Sequence, residues 1–132
     1  MITAFYTSIL AFWLIILSLR VIALRGNPLF AVLAFRNHGK ETLDRAIRAQ
    51  GNLTEYAPMM MVMMGLGEMM GLSVGFLHFW AGIFIAGRLA HGICFGFMRR
   101  SLPLRVGGMV LTLTALAGLA IQLFLATMPY MG

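Results

Sequence analysis

TAFYTSILAFWLIILSLRVIAL, residues 3–24, carries one charge, Arg20, close to its end. A helix crosses a bilayer with about 20 mostly apolar residues, so this stretch is long enough to span. Three more stretches read the same way: about 44–70, 76–98 and 106–128. The expected fold is therefore all-α, a single integral-membrane domain over residues 1–132 built as a four-helix bundle. The first stretch lacks the basic start and small-residue cleavage site of a signal peptide, so it is expected to remain as a helix.

Composition supports this reading. Of the 132 residues 61% are hydrophobic and 11% charged, and mean hydropathy is +0.90. A soluble domain carries roughly 25% charged residues, and this chain has too few to cover a surface in water. One cysteine, Cys94, excludes a disulfide scaffold. The net charge of +6 comes from ten Lys+Arg against four Asp+Glu. These are wedged between apolar blocks rather than gathered in a basic run, so they set membrane topology, and no nucleic-acid partner is expected.

Arg25, Arg36 and Lys40 lie between the first two spans, and Arg99, Arg100 and Arg105 between the last two. The N-terminus, the 71–75 connection and the C-terminus carry no Lys or Arg. The positive-inside rule then puts both basic loops in the cytoplasm and both termini on the periplasmic side of a bacterial-type inner membrane. Gly67, Gly71 and Gly75, and Gly92 with Gly96, have the four-residue spacing that lets membrane helices approach closely.

Ionisable groups at membrane depth are costly and mark a bundle interior or a water-filled cavity. At 100° per residue, Arg45, Arg48, Asn52, Glu55, Tyr56 and Met59 fall within an arc of about 100° on the second helix. Arg88, His91, Phe95 and Arg99 form a matching stripe on the third. Glu55 lies about 15 Å along the axis from Arg45, and Arg88 about 16 Å from Arg99. Equal depth in antiparallel helices predicts a Glu55–Arg88 ion pair. Arg45 is expected to reach lipid phosphates, and Cys94 to be inert packing. The polar stripe suits a small anionic ligand held by guanidinium groups from the cytosolic side.

The stretch Arg48-Ala49-Gln50-Gly51-Asn52-Leu53-Thr54-Glu55-Tyr56-Ala57-Pro58 resembles the second-helix signature of the MAPEG family, the membrane-associated proteins of eicosanoid and glutathione metabolism. Gly87-Arg88-Leu89-Ala90-His91 and Pro103-Leu104-Arg105 resemble that family's third helix and the start of its fourth. The resemblance covers essentially the whole chain, and is to short bacterial members similar to microsomal glutathione transferases.

It implies a homotrimer with glutathione as cofactor, bound between neighbouring subunits in the cytoplasmic half. Arg48, Asn52, Glu55 and Tyr56 would hold the peptide part, with Arg88, His91 and, from the end of helix one, Arg25 completing the binding set. Arg105 resembles the catalytic arginine that stabilises the thiolate; Arg99 and Arg100 are the alternatives for that role. Phe95 stands where active relatives commonly carry tyrosine. Val106 replaces a serine of prostaglandin E synthases, which argues against prostaglandin isomerase chemistry.

The implied function is a glutathione transferase or peroxidase acting on a hydrophobic small molecule dissolved in membrane lipid. The alternative keeps the fold as a non-catalytic glutathione- or lipid-binding scaffold. A copper path through Met59, Met60, Met61, Met63, Met64, Met69 and Met70 is disfavoured. Adjacent methionines point around the whole helix, where they serve as flexible packing, and no metal site is expected.

Overall fold

The computed structural model describes residues 1–98 and 101–130. Four long helices pack together: α1 (Ile2–Leu24), α2 (Lys40–Met69), α3 (Val74–Gly96) and α4 (Leu102–Thr127). A 3-10 segment, Pro28–Ala34, lies between α1 and α2, and a short 3-10 turn, Met128–Tyr130, follows α4. Among the described residues there is no strand, so the chain is all-helical.

Three of these elements are long and apolar enough to cross a membrane: Ile2–Leu24, Val74–Gly96 and Leu102–Tyr130. The fourth apolar span expected over about 44–70 falls on α2, which does not reach that standard. Its first half carries Lys40, Glu41, Asp44, Arg45 and Arg48 with Gln50 and Asn52, and Glu55 and Glu68 lie in the otherwise methionine-rich second half.

The helices also begin earlier than their apolar cores. Gly39, at φ 73°, turns the chain into α2 at Lys40, and the backbone N–H of His38 donates to the Thr42 side chain. Positive φ is the region glycine enters without a Cβ clash. At α4, Pro103 sits in the first turn, where its missing N–H costs nothing. Arg105 is therefore a helical residue and not part of a loop.

α1 has no local side-chain cap. Its start is capped from α2 instead: Glu68 accepts from the N–H groups of Ile2 (2.8 Å) and Thr3 (3.0 Å) and pairs with the amino group of Met1. A carboxylate there satisfies orphan donors and complements the helix dipole. Tyr6 and His78 share a 3.0 Å hydrogen bond at the same end, tying α1 to α3.

The core is a column of Leu10, Leu17, Leu53, Met60, Met64, Leu77, Phe84 and Leu119, drawn from all four helices. The closest approach joins α3 and α4, where a methyl group at Gly87 would lie 2.8 Å from the Gly108 carbonyl oxygen. Of the glycines singled out by spacing, Gly92 is pressed on the Trp13 ring and Gly67 on Leu72 and Leu77, whereas Gly71 and Gly75 face no close neighbour. Spacing along one helix does not say where another helix will cross it.

Candidate functional site

A cleft opens where the first half of α2 meets the end of α3 and the start of α4. One part, about 680 Å³, is lined by Lys40, Glu41, Asp44, Arg45, Arg48, Cys94, Phe95, Ser101, Leu102 and Arg105. A second, about 450 Å³, is lined by Arg48, Asn52, His91, Phe95, Arg105, Val106, Met109 and Val110. The two share Arg48, Phe95 and Arg105, so they adjoin. Four predicted site residues, Arg48, Asn52, His91 and Arg105, are thus brought together.

Phe95, placed by helical spacing on the same stripe as His91, lines both parts of this cleft. His91 stacks on its ring at 4.7 Å between centroids. The guanidinium groups of Arg45 and Arg105 lie 5.1 Å and 5.7 Å from the ring centre. A ring face attracts cations through its quadrupole and holds them without neutralising their charge. Arg48 and Arg105 are exposed, and their side chains make no hydrogen bond or ion pair with a described residue. The arrangement presents donors to an anion.

Arg45 does not extend to lipid phosphates as expected. Its Nη2 donates to the carbonyls of Cys94 (2.8 Å) and Met98 (3.0 Å), satisfying acceptors that the end of α3 leaves open. Cys94 is buried, as predicted for packing, with its thiol donating to the Ser101 carbonyl at 3.2 Å, yet it lines the cleft.

The expected Glu55–Arg88 ion pair is absent among the described residues. Arg88, 2% exposed, donates through Nε to Thr112 Oγ1 (2.9 Å) and through Nη1 to the Asn52 carbonyl (3.2 Å), and its guanidinium lies 5.1 Å from the Tyr56 ring centre. Glu55 is exposed. Glu55 is about 200° around the helix from buried Leu53 and stays exposed, while Arg88 turns to the Asn52 carbonyl one turn earlier on the same helix. Arg88 therefore fixes the backbone at Asn52 and lies outside both parts of the cleft.

Arg25 is exposed just past α1, and neither it, Glu55 nor Tyr56 lines the cleft. Arg99 and Arg100, the alternatives to Arg105, lie outside the described residues.

Comparison with known proteins bears on the resemblance directly. Residues 3–125 match the MAPEG family. Two relatives from Escherichia coli, strain K12 and strain O6:H1 (CFT073), both named inner membrane protein YecN, are each 34% identical over 116 residues, covering 88% of this chain and 85% of the relative. No solved structure matches the chain. With a match across nearly its whole length and helices apolar enough to cross a bilayer, the chain is a membrane protein that belongs to the MAPEG family.

Proposed function

We propose that the protein is a glutathione transferase or peroxidase of the inner membrane, acting on hydrophobic electrophiles or lipid hydroperoxides. In this reading α2 is the fourth span and the protein is a homotrimer. Both termini face the periplasm and the cleft faces the cytosol. The observation that carries it is the position of the α2 polar face. Arg48 and Glu55 are exposed in a single chain, beside a cleft whose Arg105 is also exposed. Charges on a membrane helix face protein or a water-filled cavity and not lipid. Neighbouring copies would cover that face and turn the cleft into an enclosed site. Arg25, which does not line the cleft of its own chain, would serve that of a neighbour.

Glutathione carries two carboxylates and one amine, and the cleft together with the exposed α2 face beside it suits that pattern. Arg48 and Arg105 suit the carboxylates and thiolate and Asn52 the peptide groups, while Glu55, outside the cleft of its own chain, would meet the amine once a neighbouring copy covers that face. When bound, glutathione supplies a thiolate nucleophile for an electrophilic carbon or a hydroperoxide oxygen. Arg105 holds negative charge at the sulfur. It stays protonated and so does not act as the base; water takes the proton. A lowering of the thiol pKa by two units corresponds to about 2.7 kcal/mol. Phe95 holds Arg105 over its face, and Arg88 fixes the turn of α2 that carries Asn52. Val106, Met109 and Val110 give the second part of the cleft an apolar wall for the lipid-soluble substrate.

A second reading, binding without turnover, is favoured by the lack of any hydroxyl or thiol side chain in the 450 Å³ part of the cleft. Protein reconstituted in lipid and given glutathione with a chlorodinitrobenzene or an organic hydroperoxide separates the two. Consumption of the second substrate supports the enzyme. Glutathione binding with no consumption supports the scaffold.

A further inference from the structure

The segment between α1 and α2 is built, not slack. Asn27 Oδ1 accepts from the Leu29 N–H at 3.0 Å and starts the Pro28–Ala34 3-10 turn. From α1, the buried Arg20 donates to the carbonyls of Leu33 and Phe35 (2.8 Å to the latter), and its Nε donates to Gly96 O on α3 at 3.0 Å. The guanidinium lies 4.6 Å from the centre of the Phe35 ring, and that ring stacks on Phe97. One side of the segment is thereby pinned to the helices.

The other side is apolar and uncovered. Leu29 is 79% and Val32 83% exposed, and Pro28–Phe35 contains no polar side chain. Arg25, Arg36 and Lys40 surround it, all exposed, and residues 25–40 contain no Asp or Glu. The segment follows directly on α1, a helix able to cross the bilayer, and so emerges at the membrane surface. An apolar face with a basic rim, lying at that level, has the make-up of an interfacial anchor. A second copy is a poor occupant, because a chain with four acidic residues against ten basic ones offers little to meet the rim.

We infer that Pro28–Phe35 is a rigid membrane-surface anchor. Leu29 and Val32 seat among the acyl chains of the leaflet where α1 ends, and Arg36 and Lys40 engage anionic phospholipid headgroups. The inference does not depend on the glutathione reading.

The test uses the full chain with Cys94→Ser, a spin label at Val32→Cys, and vesicles of phosphatidylethanolamine and phosphatidylglycerol. At residue 32 oxygen is expected to collide with the label severalfold more often than a water-soluble nickel complex does. A label at Asn37→Cys should show the reverse. Replacing phosphatidylglycerol with phosphatidylcholine should make the residue 32 label shallower. A label at 32 as open to nickel as that at 37 would overturn the proposal, and so would one shielded from both reagents, which would mean a protein covers the face. Leu29→Cys repeats the test if Val32→Cys fails to express.

Discussion

Two groups of arginines in this protein live by opposite rules. Around Arg20 every guanidinium nitrogen donates to a backbone carbonyl, of Gly96, Leu33 or Phe35, and the side chain is 1% exposed. Around Phe95, Arg105 has a ring face for a neighbour and Arg48 lines the same cleft exposed, neither giving a hydrogen bond to a described residue. The first arrangement consumes the donors in holding helices and the connecting segment together. The second leaves them presented to a ligand. Arg88 stands nearer the first group, with Nε on Thr112 and Nη1 on the Asn52 carbonyl, but its buried Nη2 has no partner among the described residues.

The difference predicts which substitutions damage the fold and which damage the chemistry. Arg20→Met should cost the most, about 3–5 kcal/mol of stability, because one buried and two part-buried carbonyls lose a charged donor together. Thermal unfolding in detergent would show it, and a loss under 1 kcal/mol would place Arg20 in the other group. Arg105→Ala should leave that unfolding curve in place but cut turnover by roughly 100-fold near neutral pH, the equivalent of about 2.7 kcal/mol. The pH–rate profile should move upward with it, because the thiol regains its ordinary pKa. Gly87→Ala falls next, at about 1–3 kcal/mol, since its methyl would meet the Gly108 carbonyl and force α3 from α4. Phe95→Leu is the smallest, about 1 kcal/mol in glutathione affinity, from loss of the ring face that positions Arg105. Isothermal titration in detergent reads that change.

Much of this was legible in sequence, and its failures share a cause. Long apolar runs mark α1, α3 and α4 because lipid selects for hydrophobicity over a fixed length. The bounds of α2 and α4 were not legible from hydropathy, because Gly39 and Pro103 start those helices inside polar stretches. The stripe of Arg48, Asn52, His91 and Arg105 could be read from helical spacing and family resemblance together, and these four do converge. What failed was partner choice. Arg20, Arg45 and Arg88 all donate to backbone carbonyls, and every residue has a carbonyl, so no side-chain pattern announces the acceptor. The Glu55–Arg88 expectation used helix face and depth, but Arg88 finds Thr112 and the Asn52 carbonyl instead.

The most direct test of the central claim, that the Arg105 cleft is a thiolate-stabilising glutathione site, is an ultraviolet difference titration of glutathione into purified trimeric or native-state protein at neutral pH, with Arg105→Ala alongside. The account predicts a saturable thiolate absorbance that the variant loses while its unfolding curve stays unchanged. Binding with no thiolate signal, or a signal that survives in Arg105→Ala, would contradict it.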